Sequence, residues 1–377
     1  MHQACAIYDP GLLLPGDEGP VARSDAGCAH ASYPDRPAQD DQSSLTVEVV
    51  LAIQSIDLGL GSDAGTELAP YGFDLDRVCT CPGPPSCIQE QGAPQTCDDD
   101  AGRDHAGLEL FRELNALAPS STEQTNQGLR AGQYGLLFDI QNYNDTANDK
   151  QVSVAVYASN GSSGVEDGGM PQPSHDGTDH WTLDPTYVVG GSRLAGSSCE
   201  RNQGACKPIF FDDNAYIKDH VLVARIEFPF SFGTRTFLGG VVMSLKGSVV
   251  VGKLERVPLA GGGQSYGITN GTIAGRWPTR QLLSTLAAVP DYLSNARPFL
   301  CGDDFSYMYF KYRACQVADI TSNPTLDNTN APCDAVSMGF RFSAEPAHLG
   351  EVYGVPPPPA GCMTDGGLPF SDTCFGQ

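Results

Sequence analysis

An all-β protein follows from three features of this chain. Segments of alternating β-branched and polar residues recur along its length, glycine and proline number 43 and 28, and only 18% of residues are charged. Turn-rich sheets call for the first two, and helical bundles carry far more charge than the third allows. The specific expectation is a large antiparallel β-sandwich, jelly-roll or concanavalin-like, with two short helices and several disulfides. With 377 residues, 40% of them hydrophobic, the chain can bury one large core. The domain plan is a flexible tail over 1–44, a single sandwich over 45–350 with an inserted cysteine-rich loop at 77–104, and a Pro/Gly/Cys-rich tail over 351–377.

The elements follow in order. SLTVEVVLAIQSIDLGL, from Ser44 to Leu60, alternates Leu45, Val47, Val49, Leu51 and Ile53 on one face and predicts a long core strand. Asp74-Leu75-Asp76 then leads into a cysteine cluster whose Pro82, Pro84 and Pro85 exclude regular structure. AGLELFRELNALA, from Ala106 to Ala118, places Leu110, Leu114 and Leu117 on one side and ends at Pro119, which predicts the first helix. Tyr134 to Tyr143 and Gln151 to Ala158, joined by the Asn- and Asp-rich NDTANDK, predict a hairpin. HWTLDPTYVVGG holds a short strand with Trp181 as a core candidate. At least four strands are expected between Pro208 and Pro278, with Gly239 and Gly240 marking a bulge or turn. Pro278 to Val289 predicts the second helix, with proline at its first position. Phe305 to Ile320 and Ala335 to Ala344 alternate as strands, the last pairing with the first to close the sandwich.

Thirteen cysteines are too many for a reducing compartment unless several bind metal, so an extracellular or outer-surface location is expected. Cys5 and Cys28 would tie the tail locally, and Cys199–Cys206 and Cys362–Cys374 are the expected bridges. The opening MHQACAIYDPGLLLPGDEGP has neither a basic n-region nor an apolar h-region, so no secretory signal is visible. No apolar run is long enough to span a bilayer. A net charge of −23 argues against nucleic acid or an anionic membrane as the principal partner and suits divalent cations.

The chemistry concentrates in CTCPGPPSCIQEQGAPQTCDDDAGRDHAGLE, from Cys79 to Glu109. Its cysteines could staple a loop or hold a soft metal; the one-residue spacing of Cys79 and Cys81 and the oxidising compartment favour staples. Asp98, Asp100, Asp104 and Glu109 fall at positions 1, 3, 7 and 12 of a calcium-type loop, although position 6 is Arg103 where such loops use glycine. The competing role for these acids is capping the helix that follows. The turns NDTAND and DDNAY offer Asn144, Asp149, Asp212, Asp213 and Asn214 as ligands for calcium or sugar hydroxyls, or simply as turn residues. Zincin spacings and phosphate-binding glycine loops are absent.

GFDLD before CTCPGPPSC, then CDDDAGRDHAG, YGLLFDIQNYNDTANDKQVSVAVYAS, DHWTLD and DDNAYIKDHVLVARI together resemble uncharacterised secreted or lipoprotein-like cell-envelope proteins of myxobacteria and related bacteria. The resemblance implies an envelope location and a large β-rich domain, and it brings no activity. The functional expectation is a non-enzymatic extracellular or cell-surface protein that binds a glycan or another envelope component with the help of Ca2+, self-association being open. The alternatives are a secreted hydrolase acting on polysaccharide and a structural surface or filament component.

Overall fold

Eight antiparallel strands close on themselves in the computed structural model of this protein, which describes residues 28–60, 70–81, 83–117, 121–162, 173–199, 206–231, 242–286, 300, 305–354 and 372–374. In chain order the elements are β1 (Val47–Asp57), α1 (Gly107–Leu117), α2 (Ser121–Arg130), β2 (Gly135–Tyr143), β3 (Asp149–Ser159), β4 (His180–Leu183), β5 (Phe210–Lys218), β6 (Val221–Ala224), β7 (Pro229–Ser231), β8 (Val242–Ser244), β9 (Lys246–Pro258), β10 (Gln264–Pro278), α3 (Thr279–Leu286), α4 (Phe305–Gln316), β11 (Ala335–Pro346) and β12 (His348–Val352). The barrel runs β1-β11-β10-β9-β6-β5-β3-β2 and back to β1. Among the described residues two short sheets stand outside it, a parallel β12–β4 pair and an antiparallel β7–β8 pair.

The main sheet is therefore a barrel, where the sequence predicts two facing sheets. The expected pairing of first and last long strands is present, Ile56 opposite Phe342 and Ile53 opposite Ala344. It closes a ring because β6 bridges β5 and β9, with Leu222 opposite both Ile217 and Gly252. Eight strands enclose an interior that side chains alone can fill. Phe138, Ile140, Val154, Ile217, Leu222, Val250, Ile273, Phe340 and Phe342 belong to one continuous core, each at most 2% exposed.

The opposite face of β5, β6, β9 and β10 is also covered. Tyr216, Val223, Val249, Val251 and Ala274 form a second apolar layer beneath Tyr33, Phe73 and Leu75. Strands buried on both faces lose the polar half of their alternation, which explains the unbroken apolar runs VLVA and SVVVG. The cover is the segment expected as a flexible tail: residues 28–44 lie along the barrel. Tyr33 packs edge-on to Phe73, Arg36 stands 4.8 Å over the Tyr216 ring, and the Asp41 carboxylate accepts from the Asn148 backbone N–H at 2.9 Å.

Four helices occur among the described residues, where two are expected. α1 and α3 lie where the sequence places them, and α2 follows α1 directly. The segment Phe305 to Ile320, expected as a strand, contains α4 instead. Tyr307, Phe310 and Ala314 are buried at helical spacing while Phe305, Met308, Tyr309 and Tyr312 are exposed between them, so aromatic residues on both faces imitate strand alternation.

Among the described residues five disulfides are formed: Cys28–Cys79, Cys81–Cys97, Cys87–Cys333, Cys199–Cys206 and Cys315–Cys374. Only Cys199–Cys206 matches an expected pair. Cys28 joins Cys79 instead of Cys5, and Cys374 joins Cys315 instead of Cys362, because the partner that folding brings near is not the nearest in sequence. Cys5, Cys362, Gly239 and Gly240 lie outside the described residues. No helix among the described residues is long and apolar enough to cross a membrane.

Candidate functional site: a buried carboxylate cluster and a barrel-end cleft

The Cys79–Glu109 stretch packs beside β10 and β11 through the loop that precedes it. A Cβ added to Gly339 of β11 would stand 2.0 Å from the Tyr71 carbonyl oxygen, so only glycine lets this loop approach the strand so closely. The Arg276 side chain of β10 donates to the Leu75 carbonyl at 2.6 Å, and the Asp104 N–H donates to the Phe73 carbonyl at 3.2 Å. These contacts fold GFDLD onto the start of α1.

Asp74, Asp76 and Asp104 converge there. Each contributes an oxygen to a group whose members all lie within 4.8 Å of one another. The Asp74 side chain is 2% exposed, and Asp76 and Asp104 are 6% and 2% exposed as residues. Asp104 Oδ2 accepts from the backbone N–H groups of Leu75 at 2.5 Å and Asp76 at 3.2 Å, Asp76 Oδ1 from Val78 at 2.9 Å, and Asp74 Oδ1 from Arg77 at 2.5 Å. Asp74 also pairs with His30. Asp76 Oδ2 is buried with no hydrogen-bond donor. The buried Ser86 hydroxyl lies close enough to Asp76 to favour its charged form, yet it is not in hydrogen-bond geometry with any group.

Burial dominates the electrostatics of this cluster. It pushes the Asp76 carboxyl up to about 8 and Asp98 to about 7, and with the neighbouring Asp76 it holds Asp104 well above the ordinary carboxylate range. Asp319, buried beneath the cluster and bonded to the Ser337 hydroxyl and N–H, is raised by burial to about 6.

Of the acids at calcium-loop spacing, only Asp104 joins this group. Asp98 Oδ2 accepts from the Thr80 N–H at 2.7 Å, Asp100 is exposed, and Glu109 pairs with Arg112 one turn along α1. None of the three shares a cluster with Asp104 among the described residues. The residues that do, Asp74 and Asp76, have a sequence signal in the DLD alternation ahead of the cysteines; what links them to Asp104, 30 and 28 positions on, is tertiary packing. Cys28, His30 and Cys79 also lie within reach of one another, but the two cysteines are bonded to each other and offer no thiolate.

NDTAND closes the turn between β2 and β3, whereas DDNAY is no turn: Asp212, Asp213 and Asn214 lie within β5, at an irregularity in its pairing with β3. Asp149 is buried and accepts from the Asn144 N–H at 2.8 Å, Asn144 Oδ1 caps Thr146, and Asp212 accepts from the N–H groups of Asn214 and Arg225. The Asp213 carbonyl accepts from the Gln151 side chain at 3.0 Å.

A cleft of about 870 Å³ opens at one end of the barrel, between β1, β2, β9 and β10 and the Cys199–Cys206 bridge. Its floor carries a connected polar array. Asp145 accepts from the Tyr266 hydroxyl at 2.6 Å and from Arg256 at 2.8 Å, and Arg256 stacks over the Tyr266 ring at 5.0 Å. Burial raises the Asp145 carboxyl, but the bonds from Tyr266 and Arg256 outweigh it and hold the group below its usual value. Across the cleft Gln141 donates to Asp139 at 2.7 Å and the Tyr157 hydroxyl donates to the Cys206 carbonyl at 3.1 Å. This cleft has no sequence signature, since its residues come from strands as far apart in the chain as β1 and β10. No family model, curated protein or solved structure matches the chain.

Proposed function

We propose that this chain is a non-catalytic extracellular binding module whose barrel-end cleft takes a glycan or another hydroxyl-rich component of a cell envelope. The observation that carries the reading is the cleft's lining. Arg256, Gln141 and Asn142 present donors, Glu48 and Asp139 present acceptors, and the array is fixed in place by strand ends and the Cys199–Cys206 bridge. Sugar hydroxyls both donate and accept, so a preorganised mixture of the two, held by rigid elements, suits them at low entropic cost. The five disulfides among the described residues support the extracellular location. Screening the protein against a glycan array and measuring the hits by calorimetry tests the proposal. Arg256→Ala and Gln141→Ala should each weaken binding about tenfold, the worth of one or two hydrogen bonds. An empty array, or hits indifferent to both substitutions, refutes it.

One observation favours a second reading. Glu48 and Asp139 are two carboxyls on the same cleft, both acting on the buried Tyr157 hydroxyl, and paired carboxyls are the machinery of glycoside hydrolysis. A polysaccharide hydrolysis screen in which activity vanishes in Glu48→Gln would establish the hydrolase in place of the binder.

A further inference from the structure

We propose that Asp74, Asp76 and Asp104, together with the Ser86 hydroxyl, bind a hard divalent cation, Ca2+ in the extracellular setting, which fastens the cysteine-stapled segment to the barrel wall. The inference does not rest on the cleft, and it places the cation away from the calcium-loop spacing, sharing only Asp104 with it.

Size supports it first. Oxygens that coordinate one Ca2+ at 2.3–2.6 Å can lie no more than about 5 Å apart, and the three carboxylates offer oxygens within 4.8 Å. Donor type comes second. The set is all oxygen, which selects a hard cation over zinc or copper. Third, Asp76 Oδ2 and Ser86 Oγ are both buried without a hydrogen-bond partner. Buried polar atoms are rarely left so, and two such oxygens beside a carboxylate cluster ask for a cation between them. Fourth, the charges are unbalanced. His30 answers Asp74, and Arg276, which reaches the Leu75 carbonyl beside the cluster, is committed to Asp327. Finally, the site is rigid in advance. Backbone N–H groups hold one oxygen of each carboxylate, and Cys28–Cys79, Cys81–Cys97 and Cys87–Cys333 pin the surrounding loops.

The test uses the full chain, stripped with EDTA and dialysed at pH 7.5, with CaCl2 as the probe in calorimetry and thermal unfolding. The expected result is one equivalent bound and a rise in Tm of about 3 °C at 1 mM CaCl2 for a Kd of about 10 μM. MgCl2 giving a smaller shift supports the same site. Asp76→Asn and Ser86→Ala should abolish and weaken the response respectively, while Asp98→Asn and Asp100→Asn leave it intact. Asp104 is avoided as the primary variant because it also holds the Leu75 and Asp76 N–H groups. Identical Tm values in CaCl2 and EDTA with no binding heat overturn the proposal, and carboxyl protons then neutralise the cluster. A response that survives Asp76→Asn but is lost in Asp98→Asn or Asp100→Asn overturns it in favour of the calcium-type loop.

Discussion

Replacing Arg276 with methionine should destabilise the protein by about 3–5 kcal/mol, the cost of leaving one partner of a buried ion pair uncompensated. Arg276 is 2% exposed and the Asp327 side chain 9%. The guanidinium forks onto Asp327, Nη1 donating at 2.8 Å and Nη2 at 2.6 Å, and the same two nitrogens also donate to the carbonyls of Thr321 and Leu75 at 2.8 and 2.6 Å. One side chain thus ties β10 to the 321–327 loop and to the Asp74–Asp76 loop. Methionine fills a similar volume, so the loss is electrostatic more than steric. It strands the Asp327 carboxylate with, among the described residues, only the Thr321 hydroxyl, at 2.6 Å. Lysine keeps the charge but cannot fork, and Arg276→Lys should lose about 1–3 kcal/mol. Removing the carboxylate as well, in Arg276→Met with Asp327→Leu, should recover most of the loss, because a buried pair and a well-packed apolar pair are often close in energy. Urea unfolding read by the fluorescence of the buried Trp181 and Trp277 measures all three variants. A loss below about 1 kcal/mol for Arg276→Met, or a double variant as unstable as the single, refutes the reasoning.

Disulfide removal should rank by enclosed loop. Cys87–Cys333 closes 246 positions and Cys199–Cys206 closes 7, which the chain-entropy model values at about 5 and about 2 kcal/mol; paired alanine replacements should lower Tm at least twice as much at the first as at the second, and equal drops would contradict the ranking. Asp319 should give stability a falling pH dependence. Its carboxyl is raised from 3.8 to about 6 by burial, so the folded state holds its proton more tightly than the unfolded chain; the contribution is complete below about pH 4 and is lost as pH rises through 6. The loss amounts to about 3 kcal/mol, and the stability difference between Asp319→Asn and the wild type should shift in the variant's favour by that amount from pH 4 to pH 7. A difference constant over that interval means the carboxyl is not so raised.

Local pattern was enough for much of the fold. The alternation of Val47, Val49, Leu51 and Ile53, the NDTANDK turn between two apolar runs, and the leucine spacing of α1 and α3 each specify an element within a few residues, because side-chain periodicity and turn chemistry act over that range. The α4 segment shows where this fails. Its aromatics face both ways, and its helical state depends on burying Tyr307, Phe310 and Ala314 while Cys315 bonds to Cys374.

Composition by itself determined the mostly-β character and the count of cysteines that points to an oxidising compartment, because turn content and thiol number need no three-dimensional partner to be read. Tertiary structure alone decided that the sheet closes, since closure rests on β6 joining β5 to β9, a matter of register between strands far apart in the chain. It alone decided which cysteines pair. It alone decided that Asp104 faces Asp74 and Asp76 instead of its neighbours Asp98, Asp100 and Glu109. The physical reason is common to all three: backbone spacing limits only what adjacent residues can touch, whereas a ligand set, a bridge or a barrel seam is made by whichever residues packing brings within a few ångströms.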